Sequence, residues 1–545
     1  MIRYKNAFQP LAFALACAFA AFSCADTSKP KPAISMMLPM SDEVRLATSV
    51  YLPDGKEGAW PVILERTPYN RANAQAIPYV GDGYAVVTQN LRGTHGSEGE
   101  WDVFGHDGWG GPGRQDGLDT VAWILEQPWC NGRIGLAGYS ASGISAQLLL
   151  GAHPPGVRCA FINAASDNFY ELVFLNGCYR KNTIEQWVEG KPMLAEFEKH
   201  PAYDAFWESR DVRARADTID VPVYILSGWF DLAQRSATAF FQRVHNNGLP
   251  HAHGNCKLLM NTLAHAAPSG VLTFTDRADT NLDAAFGSTR DWFAYWLKEE
   301  QNGILDKPAV ALFLMTDEAA MEAPGNTWRF YENWPPAATP KTLYLHEGGK
   351  LLAAPPQRTE SSTAYVYDPA SPTPSLGGNN LFPPSGPHDQ REIEARSDVV
   401  VFETDALREP LTVIGPISVT LYASSDAVDT DFGARLCDVY PDGRSMLVNE
   451  GMVRARYRDS NRTETLMAPG TVYAFHIDLW DNALTFAAGH RIRLDIVSCS
   501  DPRYDPNPNT GEPFRRHTRT APARNTVSHD AARPSQLVLP VVSAD

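Results

Sequence analysis

A serine at the turn between a short strand and a small-residue helix is the first feature of this sequence that could do chemistry. Residues 133–144 read Arg-Ile-Gly-Leu-Ala-Gly-Tyr-Ser-Ala-Ser-Gly-Ile, with Ser140 at the turn. A serine hydroxyl is a poor nucleophile at neutral pH, so it must project from such a turn toward a base. The layout is that of a nucleophile elbow, although Ser142 stands where the familiar motif has its second glycine, and Gly143 follows. The alternative is an ordinary Gly/Ser-rich turn.

An acid and a base follow Ser140 in the order that a serine hydrolase on an α/β sheet requires. Asp231 comes shortly after the apolar run 221–227, and His265 follows the next strand-like run. In this interpretation Ser140 attacks a carbonyl, His265 takes and returns the proton, and Asp231 orients the imidazole. The backbone N–H of Ala141 supplies one oxyanion donor. Taken singly, Asp231 could instead cap the following helix, and His265 could be a surface histidine.

Hydrophobic periodicity predicts the elements that must position these side chains. Strand-like runs alternate with helices up to a last helix over 284–299, which indicates an α/β core with a mostly parallel sheet. Beyond residue 340, short alternating strands between turns indicate an all-β sandwich or jelly roll. Aromatic and charged residues at helical spacing over 167–216 predict a helical insertion, which could form a lid. The predicted segments are a signal peptide (1–25), the α/β domain (26–166 and 217–339), the helical insertion (167–216) and the all-β domain (340–545).

Two shorter segments complete this organisation. Residues 1–25 carry Arg3 and Lys5, then an apolar run and small residues, as a secretory signal does, so an exported, periplasmic or secreted chain is expected. Their apolar run is too short to span a bilayer. Attachment of a lipid at Cys24 is the alternative, but Phe22 is bulky where such signals usually have a small residue. The Pro- and Gly-rich residues 369–387 are an ordered connection or a flexible linker.

Composition narrows the classes of partner. The chain carries 47 Lys and Arg against 63 Asp and Glu, for a net charge of −16, which argues against nucleic acid and anionic lipid. The six cysteines beyond residue 25 match no metal pattern, and most are expected to be small buried hydrophobes. His251 and His253 lack a third ligand, so no metal and no cofactor is predicted. A homo-oligomer is compatible with the sequence, which does not determine the oligomeric state.

The chain resembles the cocaine esterase and α-amino-acid ester hydrolase family (CocE/NonD-type hydrolases), which shares its C-terminal domain with Xaa-Pro dipeptidyl-peptidases. The resemblance covers nearly all of the chain after the signal. It is carried by the motifs Arg-Thr-Pro-Tyr (66–69), Arg-Gly (92–93) with Ser-Glu-Gly-Glu (97–100), Gly-Tyr-Ser-Ala-Ser-Gly (138–143), Gly-Trp-Phe-Asp (228–231) and Pro-Asn-Pro-Asn-Thr-Gly (506–511). It implies an α/β-hydrolase fold for the α/β domain, a helical cap over 167–216 and a jelly roll over 340–545. It also implies that Tyr69 places a phenol at the oxyanion; the alternative is a packed tyrosine.

Departures from the family pattern bear on the substrate. Members commonly have a tyrosine after the nucleophile, where this chain has Ala141, and a Gly-Pro-Trp-like run before the histidine, where it has Asn261-Thr262-Leu263-Ala264. The amino-ester hydrolases bind the substrate's ammonium with acidic residues just after the aspartate, where this chain reads Leu-Ala-Gln-Arg (232–235). A small-molecule acyl ester or amide is therefore the expected substrate.

Aromatic residues near these motifs are candidates for the substrate pocket, or else belong to the core of the cap. They are Tyr139, Trp229, Phe230, Tyr170, Phe174 and Trp187. Two other functions remain open. An Xaa-Pro dipeptidyl-peptidase would need an amine site, for which Glu185, Glu189 and Asp204 are candidates. An inert secreted protein that binds through its jelly roll would be expected to have lost one of the three catalytic residues.

Overall fold

The computed structural model describes residues 30–53, 58–108, 116–188, 193–265 and 270–543. The predicted signal over 1–25, Cys24 and Glu189 lie outside the described residues. From Lys31 onward the chain forms one compact unit. Among the described residues, no helix combines the length and the apolar character that crossing a membrane requires.

A ten-stranded sheet forms the first half of the molecule. The strands up to residue 331 are β1 (Ile34–Pro39), β2 (Arg45–Tyr51), β3 (Trp60–Thr67), β4 (Ala85–Asn90), β5 (Cys130–Tyr139), β6 (Val157–Asn163), β7 (Phe174–Leu175), β8 (Cys178–Tyr179), β9 (Val223–Phe230), β10 (Lys257–Ala264), β11 (Val310–Leu314) and β12 (Thr327–Tyr331). All but β7 and β8 join this sheet, in the order β1-β2-β4-β3-β5-β6-β9-β10-β11-β12. Neighbours from β4 to β11 are parallel, and β1, β2 and β12 are antiparallel edges.

Helices connect these strands and cover both faces of the sheet. They are α1 (Asp116–Leu125), α2 (Ala141–Leu150), α3 (Phe169–Val173), α4 (Lys181–Trp187), α5 (Met193–Phe197), α6 (Ala205–Glu208), α7 (Gln234–Asn247), α8 (Leu282–Phe286) and α9 (Thr289–Lys298), with α10 (Arg391–Glu394) further on. Four short 3₁₀ helices lie at Arg71–Asn73, Ile77–Val80, Val212–Thr218 and Ile304–Asp306, and a fifth at Ala455–Tyr457. Between β6 and β9 the chain forms α3 to α6 and the two-stranded β7–β8 hairpin; we call this the inserted segment.

The helix predicted over 284–299 is wrong in detail, because it is two helices. Gly287, with φ +93°, ends α8. Ser288 then caps α9, since its side chain accepts from the Asp291 backbone while the Asp291 carboxylate accepts from the Ser288 backbone. Strands β11 and β12 follow and extend the first sheet, where no further strand of that sheet is predicted.

The second half of the molecule is an eleven-stranded, almost wholly antiparallel sheet. Its strands are β13 (Thr339–His346), β14 (Lys350–Leu352), β15 (Ser362–Tyr367), β16 (Val400–Glu403), β17 (Leu411–Ser425), β18 (Asp431–Val439), β19 (Ser445–Arg454), β20 (Tyr473–Phe486), β21 (Arg491–Val497), β22 (Ala523–Ser528) and β23 (Gln536–Val541). Among the described strands of this sheet, only β14 and β16 pair in parallel. The two sheets are in direct contact, since Met315 of the first half exchanges backbone hydrogen bonds with Ala483 and Thr485 of β20.

Candidate active site

Ser140 lies in the turn between β5 and α2, in a backbone conformation that side-chain-bearing residues rarely adopt (φ 55°, ψ −125°). Its N–H donates to the carbonyl of Asn163 at 2.9 Å, which holds the turn against β6. Backbone strain of this kind costs about 1–3 kcal/mol and is retained where a function needs it. The conformation projects the hydroxyl away from the sheet, as a nucleophile elbow does.

In this turn the second glycine stands at position 143 rather than 142, and its lack of a side chain allows the strand and helix backbones to approach each other. A Cβ on Gly143 would lie 2.6 Å from Cβ of Ala165 and 3.0 Å from the carbonyl oxygen of Gly138. A Cβ on Gly138 would lie 2.5 Å from the backbone of Ser142. Ser142 instead uses its hydroxyl, which donates to Oγ1 of Thr67 at 2.9 Å. The departure from the familiar motif therefore leaves the packing of strand and helix intact.

Three side chains distant in sequence form a continuous hydrogen-bonded chain at this turn. His265 Nε2 lies 2.9 Å from Ser140 Oγ, and His265 Nδ1 lies 3.0 Å from Asp231 Oδ2. The side chains of His265 and Asp231 are each only 4% exposed. Since an ionised carboxylate only accepts, Nδ1 carries the proton and Nε2 is free to accept from the serine hydroxyl. This arrangement can activate Ser140 as a nucleophile.

The loop after β9 fixes the Asp231 carboxylate. Its second oxygen, Oδ1, accepts from the backbone N–H of Ala233 at 2.6 Å, and the Asp231 N–H donates to the carbonyl of Gly228. Asp231 thus orients His265 while being held by its own loop.

Tyr69 brings a phenol to the same point. Its hydroxyl lies 3.3 Å from Ser140 Oγ and also forms hydrogen bonds with the Ala141 backbone and the Trp187 side chain. The residue as a whole is 39% exposed, while the surroundings of its hydroxyl are desolvated. Burial raises the pKa of Tyr69, and its hydrogen bonds partly offset that rise. The phenol and the Ala141 N–H are therefore two donors beside the nucleophile.

Tyr139 contacts His265 from the side of β5. Its ring stacks on the imidazole with centroids 5.2 Å apart, and its hydroxyl donates to the His265 carbonyl at 2.5 Å. The structure therefore brings Tyr139 to the site as a neighbour of the base.

The other aromatic candidates are divided between the site and the protein interior. Trp187 reaches Tyr69 and packs edge-on against Trp101, with centroids 5.6 Å apart. Tyr170 and Phe174, each 1% exposed, stack on each other inside the inserted segment. Their contacts, which include the ring of Trp207 for both, are those of a core.

Trp229 and Phe230 occupy the interior at the end of β9. Trp229 is fully buried, and its indole N–H donates to the carbonyl of Phe313 at 2.8 Å. Phe230 is 2% exposed and stacks on Phe274, with centroids 6.4 Å apart. Both residues directly precede Asp231, so their burial anchors the start of its loop.

Acidic residues of the inserted segment are engaged by basic side chains. Glu171 accepts from Arg213 at 2.6 Å and from Arg235, three residues after Leu232. Burial alone would raise the pKa of Glu171, but these guanidinium groups hold it below its usual value. Of the candidates predicted for an amine site, Glu185 accepts from Arg515 at 2.7 Å. Asp204 pairs with His200 at 2.6 Å and caps α6.

The described residues contain one trio with metal-ligand spacing, in which Glu394 ends α10 while Cys437 and Asp495 lie on neighbouring strands of the second sheet. Glu394 there already accepts hydrogen bonds from Ser445 and Arg493. His251 pairs with Asp220 at 2.8 Å. The six cysteines in the described part of the chain are all free, and five of them are buried.

Sequence reasoning misses two residues that contact the Asp231 loop. Asn379 donates to the Asp231 carbonyl from 148 positions away, and Arg180 donates to the carbonyl of Leu232. The local signal around Asn379 is the preceding Gly377-Gly378, which predicts a turn but no contact. Arg180 precedes α4 and has no distinguishing motif.

Family models match most of the chain. The X-Pro dipeptidyl-peptidase (S15 family) model matches residues 42–196 and 188–267, and the X-Pro dipeptidyl-peptidase C-terminal non-catalytic domain matches 302–538. Cocaine esterase of Rhodococcus sp. (strain MB1 Bresler) is 31% identical, over 94% of this chain and 98% of that protein.

Two solved structures share the fold over nearly the full length. An aminopeptidase from a marine sediment Thaumarchaeota archaeon has a TM-score of 0.81 at 24% identity, covering 96% of this chain and 99% of that one. An α-amino acid ester hydrolase has a TM-score of 0.77 at 26% identity, covering 96% and 98%. Together with the geometry at Ser140, the family models and the identity to cocaine esterase show that the chain is a serine hydrolase of the cocaine esterase family.

Proposed function

We propose that this protein hydrolyses carboxylic esters of small molecules through an acyl-enzyme formed on Ser140. The observation that carries the proposal is the unbroken hydrogen-bonded chain from Ser140 Oγ through His265 to Asp231, at 2.9 and 3.0 Å. It is supported by the family relationship to cocaine esterase. The triad residues are Ser140, His265 and Asp231, and the oxyanion donors are Tyr69 and the N–H of Ala141.

The reaction follows from this geometry. Ser140 Oγ attacks the ester carbonyl as its proton passes to His265 Nε2, and the imidazolium is stabilised by Asp231. The negative charge that develops on the carbonyl oxygen is met by the Tyr69 hydroxyl and the Ala141 N–H. His265 then gives its proton to the departing alkoxide, which leaves an acyl-Ser140 ester. Water, activated by His265 in the same way, attacks that ester and releases the acid and the free serine.

The acyl group is proposed to lack a free α-amine. A substrate ammonium would need an unpaired carboxylate, and Glu171 is neutralised by Arg213 and Arg235. The loop after Asp231 supplies Leu232, Ala233 and Gln234, which carry no charge. This favours an ordinary acyl ester, or the corresponding amide, over the α-amino acid esters after which the structural neighbour is named.

An architecture accompanies this function. The inserted segment is proposed to be a cap over the site, because Trp187 at the end of α4 reaches the Tyr69 hydroxyl. The second sheet is proposed to be the jelly roll expected from residue 340 onward. Residues 1–25 are proposed to be an export signal, which places the enzyme in the periplasm or outside the cell; their basic start, apolar run and small-residue end support this.

The test compares the wild-type protein with Ser140→Ala and Ser142→Ala on four substrates. These are p-nitrophenyl acetate, p-nitrophenyl butyrate, a β-lactam ester and a Gly-Pro anilide. Ser142→Ala is the matched control, because that hydroxyl contacts Thr67 and not the base. We expect ester turnover to persist in Ser142→Ala and to be nearly abolished in Ser140→Ala. The residual rate of Ser140→Ala should be about 10³-fold above that of the uncatalysed reaction in water, because the oxyanion donors remain.

Each other outcome has a definite meaning. Hydrolysis of only the Gly-Pro anilide would show an Xaa-Pro dipeptidyl-peptidase, the second candidate, which the S15 family model favours. Activity in Ser140→Ala equal to wild type would refute the assigned nucleophile. Labelling by a fluorophosphonate should likewise require Ser140 and be retained in Ser142→Ala.

A further inference from the structure

Asn379, from the segment that precedes α10, contacts the end of β9. Its side-chain amide donates to two backbone carbonyls, those of Trp229 and Asp231, each at 2.9 Å. Asn379 is 2% exposed. We propose that Asn379 is a positioning residue that holds Asp231 in register with His265, an inference that rests on the proposed function of the triad.

The end of β9 needs such support because its ladder is irregular there. Pairing between β9 and β10 shifts between Asn261 and Ala264, immediately before His265. The Asp231 carbonyl also accepts from the Gln234 N–H at 3.2 Å, so the Asn379 amide is its second and shorter donor. Loss of one hydrogen bond of this kind costs about 0.5–1.5 kcal/mol and would favour movement of the loop. The two N–H groups of one planar amide satisfy both carbonyls at once and fix the loop on either side of Phe230.

Arg180 reinforces the same junction from the inserted segment. One terminal nitrogen donates to the carbonyl of Leu232 at 3.4 Å and the other to the carbonyl of Asn379 at 3.3 Å. Burial lowers the pKa of Arg180 to about 10, while Asp231 is among the charges that raise it, so the group is cationic at neutral pH. Arg180 thereby links the loop of Asp231 to the residue that braces it.

The turn before Asn379 is shaped to deliver this side chain. Gly377 and Gly378 both have φ +82°. A Cβ on Gly377 would lie 2.3 Å from the carbonyl oxygen of Gly386, and one on Gly378 would lie 2.4 Å from Nη1 of Arg503. Only glycine fits both conformation and space at these positions.

Asn379 lies within residues 302–538, which match a domain described as non-catalytic. The proposal gives that domain a part in catalysis, since it supplies the brace for the triad acid. A shift of about 1 Å in a catalytic group can cost roughly 10²-fold in rate.

The test uses Asn379→Ala in the full chain, with Asn380→Ala as the matched control. Asn380 is the next residue, also an asparagine and 3% exposed, but its amide donates within its own segment, to the carbonyls of Gly377 and Pro384. On the best ester substrate we expect Asn379→Ala to lower kcat by about 10- to 100-fold with KM within about twofold, and Asn380→Ala to change kcat by less than threefold.

Coupling to Asp231 separates positioning from general damage. If Asn379 acts through Asp231, Asn379→Ala should cost less than about twofold further in an Asp231→Asn background. Asn379→Ser, which keeps one donor in a smaller side chain, should recover part of the rate and serves if Asn379→Ala does not fold. Equal rates for Asn379→Ala and Asn380→Ala, or full additivity with Asp231→Asn, would overturn the proposal. If Ser140→Ala is inactive, the proposed function stands whether or not Asn379→Ala lowers the rate, so the two proposals can fail separately.

Discussion

Replacing Tyr69 with phenylalanine removes one of the two oxyanion donors, together with the bonds of that hydroxyl to the Ala141 backbone and the Trp187 side chain. In the free enzyme the Tyr69 hydroxyl is 3.3 Å from Ser140 Oγ, which is longer than the usual 2.7–2.8 Å between hydroxyl oxygens. The contact therefore contributes little before substrate binds and should shorten onto the charge that develops in the transition state. Because the ring remains and the residue is 39% exposed, the fold should be unaffected.

The expected decrease in kcat of Tyr69→Phe follows from the number of oxyanion donors. With the Ala141 N–H retained, loss of one donor costs about 10²–10³ in kcat, or about 2.7–4 kcal/mol of transition-state stabilisation. KM should stay within about twofold, because the lost interaction is made only in the transition state. Since burial raises the pKa of Tyr69, the phenol keeps its proton into the alkaline range, and the ratio of wild-type to variant rates should be constant from pH 7 to 9.

The assay is steady-state hydrolysis of p-nitrophenyl butyrate, with Tyr79→Phe as control. Tyr79 lies in the same connection after β3, and its hydroxyl pairs with Thr289 Oγ1 at 2.8 Å, outside the site. We expect Tyr79→Phe to retain kcat within about twofold. A Tyr69→Phe variant that keeps kcat within threefold of wild type, or that changes KM alone, would refute the role of the phenol.

Two further predictions concern the supporting structure. Gly143→Ala should destabilise the protein by about 1–3 kcal/mol in urea unfolding and lower kcat, because its Cβ would lie 2.6 Å from that of Ala165; unchanged stability would contradict the packing argument. Burial raises the pKa of Glu65 from 4.5 to about 7, so between these pH values the folded state binds more protons than the unfolded chain and stability falls as pH rises. The wild-type protein should lose on the order of 3 kcal/mol of unfolding free energy between pH 5 and pH 8, and Glu65→Gln should not show this loss. Equal pH dependence of stability in the two proteins would refute the prediction.

Much of the site follows from local sequence, because the residues that do chemistry stand at strand ends. Ser140, Asp231 and His265 each follow a strand of one parallel sheet, so topology alone brings them to one edge. The mostly parallel sheet is likewise predictable from long apolar runs such as 221–227. The position of Gly143 is not, since only the structure shows that Ala165 and the Gly138 carbonyl occupy the space its Cβ would need.

The unpredicted features depend on contacts between distant parts of the chain. Strand β19 contains the polar residues Asn449 and Glu450 at buried positions, so it lacks the alternation that marks a half-exposed strand. Glu450 is buried because Arg435 and Arg503 pair with it. The bond from Asn379 to the Asp231 carbonyl similarly joins residues 148 positions apart, and neither end carries a motif that names the other.

The contact between Asn379 and the Asp231 loop also limits how this enzyme can be divided or recombined. A fragment that stops before the second sheet would contain Ser140, Asp231 and His265 yet lack the Asn379 amide that bridges the carbonyls of Trp229 and Asp231. Exchange of the C-terminal half between relatives would transfer the brace along with it, so a chimera keeps its turnover only where the incoming segment matches this turn. During synthesis, the acid loop acquires its final restraint only after residue 379 has left the ribosome.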